Sequence, residues 1–132
     1  MNKILLTIAI LVTHSINAQT VHEVKQFMED STDIKYPTIV LTQSILETGW
    51  FKSYNSKERH NLFGFWDSRK QTYFVYSNWK ESIRSYERWQ KKWYTGGEYY
   101  DFLECIYKGS DGDCKRYASD PNYISKLKTI NI

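Results

Sequence analysis

The chain has 132 residues, with 18 Lys and Arg against 15 Asp and Glu. The resulting formal charge of +3 is too mild for a nucleic-acid-binding footprint, and two cysteines and three histidines at no zinc-ligand spacing exclude a zinc module. Aromatics are the outlier: eleven Tyr, six Phe and five Trp suit the core of a small domain, and equally the apolar faces of sugar rings.

Residues 1–18 read as a secretory signal peptide. A short positive start at Lys3 precedes an apolar run from Ile4 to Val12 and a small residue, Ala18, at the cleavage point. The run is too short to span a bilayer, so export without stable membrane insertion is expected. Residues 19–132 then form one domain, expected as a monomer in the periplasm or outside the cell. In that oxidising setting Cys105 and Cys114 are expected to pair across a short loop, the alternative being two free thiols.

In chain order, Thr20 and Glu23 predict a capping box for a first helix with Val21, Val24, Phe27 and Met28 inward. Pro37 opens a central helix closed by Gly49, and a polar, basic loop follows over 52–59. Aromatic segments 61–66 and 72–76 around a polar turn predict one small β-hairpin. Asn78, with Glu81 at the reciprocal position, starts a long amphipathic helix with Trp79, Ile83, Tyr86, Trp89 and Trp93 in one stripe and its charges on a solvated face. Tyr99 to Ile106 marks a fourth helix, ended by Gly109. Asp120-Pro121 signals the cap of a last helix, whose inner side carries Tyr123, Leu127 and Ile130. The fold class is mainly α (α+β), and His22 and His60 read as ordinary surface or hydrogen-bonding residues.

The central helix is apolar on nearly every side, through Ile39, Val40, Leu41, Ile45 and Leu46, which predicts burial. Yet it carries Glu47, one turn after Gln43 on the same face. A carboxylate there is costly unless paired or neutralised. The helix C-terminus, the Gly49 stop and apolar Trp50 and Phe51 should all raise its pKa, as a general acid needs near neutral pH. The plainer reading is an exposed residue in a fraying last turn.

Gln43-Ser44-Ile45-Leu46-Glu47-Thr48-Gly49-Trp50 resembles the signature of the bacterial glucosaminidases of glycoside hydrolase family 73. Asn61-Leu62-Phe63-Gly64 is similar to that family's next motif. Phe74-Val75-Tyr76 with Glu81-Ser82-Ile83, and Tyr117-Ala118-Ser119-Asp120-Pro121-Asn122-Tyr123 with Lys126-Leu127, resemble those that follow. The resemblance implies a lysozyme-like helical domain that hydrolyses the β-1,4 bond after N-acetylglucosamine in the glycan strands of peptidoglycan, with no metal or other cofactor. It gives Glu47 the role of catalytic acid and Tyr117 that of a cleft tyrosine near the reacting sugar. Gln43, Asn61, Phe63, Trp66 and Tyr76 are the expected substrate-binding residues. Asp120 and Glu81 are already explained by capping, and Tyr123 reads as core because Leu127 and Ile130 share its face.

Two departures from the family pattern stand out. Many members have a longer hairpin carrying a second acid, whereas here Asp67 is the sole acid of the turn and so the candidate second carboxylate. Ser85 stands where the family often has Asp. Without a second acid, the acetamido group of the substrate could assist instead. Rival readings are an inactive glycan-binding protein, and a lytic transglycosylase or muramidase of the same fold.

Overall fold

The computed structural model describes residues 19–132; the expected signal peptide lies outside them. Helix α1 (Val21–Ser31) starts on the anticipated capping box: Thr20 accepts from the Glu23 amide and Glu23 reaches back to the Thr20 amide. Val24 and Met28 are its buried stripe.

Helix α2 (Pro37–Thr48) is the buried centre, with Val40 to Ile45 and Thr48 all inaccessible. Its buried hydroxyls are satisfied within the helix. Thr42, Ser44 and Thr48 donate their hydroxyls back to Ile39, Leu41 and Ser44 carbonyls at 2.6 to 2.7 Å. Gly49, Trp50 and Phe51 then all take left-handed φ, of 55°, 61° and 63°. Only glycine does this freely, and each of the others costs about 1–2 kcal/mol. The turn persists because the Trp50 amide donates to Ile45 O, the Phe51 amide to Thr48 Oγ1, and the Phe51 ring is buried. This over-determined turn fixes the helix end immediately after Glu47.

The loop expected over 52–59 contains a single helical turn, α3 (Tyr54–Lys57), capped by Ser53. The first hairpin is shorter than anticipated: β1 (Trp66–Asp67) pairs antiparallel with β2 (Thr72–Tyr73), Trp66 opposite Tyr73. Asn61 clamps its base, donating to Phe65 O and Phe74 O and accepting from the Phe65 amide. His60, expected as an ordinary surface or hydrogen-bonding residue, is half-buried with left-handed φ, and its Nδ1 is buried without a partner among the described residues.

Helix α4 (Trp79–Trp93) is capped by Asn78, and buries Ser82, Ile83, Tyr86 and Gln90. Its polar face is not merely solvated. Arg84 lies over the Phe27 ring, Glu87 accepts from the Asp33 amide at 2.6 Å, and Gln90 bonds both backbone groups of Lys35. These contacts tie α4 to the α1–α2 connection.

Helix α5 (Tyr99–Glu104) stops at Cys105, short of Ile106, because the chain turns into a second antiparallel pair, β3 (Tyr107–Lys108) with β4 (Cys114–Lys115). A single hairpin was expected; the apolar run through Ile106 mimics a helix that the cysteine pairing interrupts. Cys105 and Cys114 are disulfide-bonded, with Cα atoms 4.9 Å apart. Helix α6 (Tyr123–Thr129) begins later than the Asp-Pro signal suggested. Asp120 caps the preceding turn, accepting from the Asn122 amide and Lys126 Nζ. The expected architecture holds: mainly α, six helices among the described residues with two small strand pairs, a lysozyme-like domain.

Candidate active site

Glu47 ends α2 at the floor of a groove of about 550 Å³. One wall comes from the first hairpin and the loop before it: Phe63, Gly64, Phe65 and Trp66. The other comes from the strand leaving the disulfide: Lys115, Arg116, Tyr117 and Ala118, backed by Trp89. A smaller hollow of about 270 Å³ continues past Glu47 towards Asp120, Tyr123 and Lys126. Glu47 is half-buried and opens to both.

The backbone at Gly64 is shaped to this carboxylate. Its φ of 65° is left-handed, and a Cβ there would sit 3.3 Å from Glu47 Oε2. The Asn-Leu-Phe-Gly motif thus ends in glycine for two reasons, a backbone turn and a close approach.

Burial raises the Glu47 pKa from its ordinary value, and the neighbouring Tyr123 hydroxyl opposes part of that rise. The expected direction holds, but its source differs. Phe63, Phe65 and Leu46 surround the acid, while Trp50 is 47% exposed and Phe51 turns into the core.

Behind the carboxylate runs a one-way chain of buried hydrogen bonds. Gln90 Nε2 donates to the Tyr99 hydroxyl at 3.0 Å. Tyr86 donates its only proton to Gln43 Oε1 at 2.5 Å, so the proton shared by Tyr86 and Tyr99 is Tyr99's. Gln43 Nε2 donates to the Tyr123 hydroxyl at 3.2 Å, and that hydroxyl stands beside Glu47, whose charge it favours. Burial pushes the phenols of Tyr86, Tyr99 and Tyr123 upward, so all three stay neutral, and the donors run from Gln90 as far as the Tyr123 hydroxyl.

The expected site residues therefore divide. Glu47, Phe63, Trp66 and Tyr117 line the groove. Gln43 does not: it is wholly buried, and its amide is committed to the two tyrosines. Asn61 is likewise wholly buried and shapes the hairpin from within. Tyr76 is not among the residues lining the groove; its hydroxyl bonds Ser85 Oγ at 3.0 Å. Asp67 is buried in its own turn, accepting from the Arg69 and Lys70 amides. Tyr123 is buried as expected, but only its ring belongs to the core; its hydroxyl serves the acid. The one sequence signal for this was that a buried tyrosine hydroxyl needs a partner. Phe65, Trp89, Lys115 and Arg116 were missed, because groove walls assembled from distant segments leave no local pattern.

Tyr117 donates to Phe63 O at 3.4 Å, and burial raises its phenol well above the ordinary value. Its single proton faces that carbonyl, so the hydroxyl is a neutral group at the groove with its oxygen free to accept. Glu47 is the sole carboxylate lining the groove among the described residues. Asp120, across the smaller hollow, is held ionised by Lys126 and the Asn122 amide.

A helix-end acid beside an aromatic groove, on a small helical fold with short hairpins, fits the plan of a lysozyme-like domain. The chain belongs to the glucosaminidase family, described as mannosyl-glycoprotein endo-beta-N-acetylglucosaminidase, whose profile matches residues 23–131. No curated protein and no solved structure matches the chain significantly. The family and the disulfide fit an extracellular enzyme. Among the described residues, no helix is long and apolar enough to cross a membrane.

Proposed function

We propose that the protein is an exported hydrolase of peptidoglycan, cutting the β-1,4 bond after N-acetylglucosamine, with Glu47 as general acid. The observation that carries this reading is a single carboxylate at the groove floor, its pKa raised by burial, with the Tyr123 hydroxyl beside it. Glu47 gives its proton to the bridging oxygen as the bond to C1 breaks. The acetamido oxygen of the same N-acetylglucosamine closes on C1, giving a cyclic oxazolinium ion. Water then opens it at C1, losing its proton to the Glu47 carboxylate and restoring the acid. Neutral Tyr117 steadies the reacting sugar, its hydroxyl oxygen accepting a hydrogen bond while its proton faces the Phe63 carbonyl.

Substrate assistance is favoured over a second enzymic acid because Asp67 is committed to its turn. Asp67→Asn keeps an acceptor for the two amides and removes the charge. Activity should stay within about fivefold of wild type; a loss of several orders of magnitude in a folded protein would make Asp67 the second acid.

Glu47→Gln tests the central assignment. Release of reducing ends from purified cell walls should fall by about a hundredfold or more. Mass spectrometry of wild-type products should find N-acetylglucosamine at the new reducing ends. Anhydro-muramic ends would mean a lytic transglycosylase, muramic reducing ends a muramidase, and binding without cleavage an inactive glycan-binding protein.

A further inference from the structure

Trp66 lines the groove, but its exposed ring does not end there. It meets Tyr73, its cross-strand partner, edge to face at 5.0 Å. The Arg59 guanidinium lies 5.6 Å from the centre of the Tyr73 ring and 4.6 Å from that of Tyr54. The result is a continuous aromatic and cationic shelf that leaves the groove at Trp66 and runs over the hairpin to α3. Single exposed aromatics are unremarkable, but here Trp66, Tyr73 and Tyr54 are 50%, 37% and 65% exposed and contiguous.

The shelf is also rigid. Trp66 and Tyr73 are held by the β-ladder, whose base Asn61 clamps. Arg59 is fixed by Asn55 Oδ1 at 2.9 Å, and its carbonyl accepts from the Tyr76 amide. No carboxylate pairs with Arg59 among the described residues. Preformed aromatic faces beside free guanidinium donors suit a pyranose, which offers an apolar face and a hydroxyl or acetamido edge.

We propose that Tyr54, Arg59 and Tyr73 form a distal glycan subsite, where the strand entering the groove continues past Trp66 before or after the cut bond. This rests on the reading of the groove as a glycan site and adds where a long strand is gripped. The shared residue Trp66 identifies the occupant, because a ligand in the groove reaches the shelf without leaving protein surface. Long strands are therefore bound better than short fragments.

Calorimetric titration of the Glu47→Gln protein with β-1,4-linked N-acetylglucosamine trimers, hexamers and octamers tests this without turnover. Affinity should rise with length. Adding Tyr54→Ala, on an exposed side chain outside the core, should weaken octamer binding about tenfold and trimer binding by less than about twofold. Tyr54→Phe should restore most of the loss. Affinity that does not depend on length, or equal weakening of trimer and octamer, overturns the subsite while leaving the groove intact. A dimer in sedimentation that Tyr54→Ala dissolves would assign the shelf to a second copy instead. Failure to bind any oligomer, with a wild-type protein that releases no reducing ends, overturns the glycan reading itself.

Discussion

At the scale of single residues, the chemistry turns on how one carboxylate is held. Two opposed effects act on Glu47: burial disfavours its charge, and the Tyr123 hydroxyl favours it. Lys115, Arg116 and Tyr117 on one side, and Asp120 and Lys126 on the other, complete the titratable groups around it. Tyr123→Phe removes only the hydroxyl, so the Glu47 pKa should climb. The acid must be protonated to act, and the alkaline limb of kcat should therefore move to higher pH. Gln43 Nε2 would lose its partner, costing about 1–3 kcal/mol of stability, measurable by urea titration. A loss of stability with an unmoved pH profile would show that Tyr123 is only a core residue. The same logic explains why Gln43, legible in the motif, was misplaced at the substrate. Its spacing to Glu47 identified the right face, but that face points through the protein rather than at solvent.

At the scale of elements, the second hairpin is the part whose purpose the sequence concealed. Its disulfide precedes Lys115, Arg116 and Tyr117 directly, and the Tyr117 amide bonds Leu103 O where α5 ends. The bridge therefore anchors one wall of the groove. By loop closure alone, a loop of this length contributes about 2–3 kcal/mol. Replacing Cys105 and Cys114 together by serine should lower unfolding free energy by about that amount in denaturant titration. It should also lower kcat/KM, since Tyr117 loses its anchored strand. Unchanged kinetics in a destabilised variant would reduce the bridge to a purely global staple.

At the scale of the whole molecule, the acid works against stability. A raised folded-state pKa means the native protein binds this proton more tightly than the unfolded chain does. Stability from this group is thus fully present below the unfolded carboxyl value, about 4.3, and is lost as pH rises through the folded value. Glu47→Gln should therefore melt higher than wild type at neutral pH, and the two curves should converge at acidic pH. A variant equally or less stable at neutral pH would mean that the carboxylate is comfortably solvated. Such a trade between site and scaffold is usual where a buried ionisable group is kept for chemistry.

What the sequence determined by itself was everything encoded locally. The Thr20 box, the Pro37 start and Gly49 stop, the Asn78 cap and the all-round apolar pattern of α2 need only neighbours a turn away. They define the helices, the burial of α2 and the anomaly of Glu47 upon it. The motif order carried the family. Only the tertiary structure decided which way each functional side chain faces. It turned Gln43 and Asn61 inward and locked Asp67 in its turn. It brought Tyr123 to the acid from 76 positions away in the chain, and built a wall from Lys115 and Arg116. The physical reason is that hydrogen-bond partners and groove walls are chosen by packing between distant segments, and spacing along the chain carries no record of that choice.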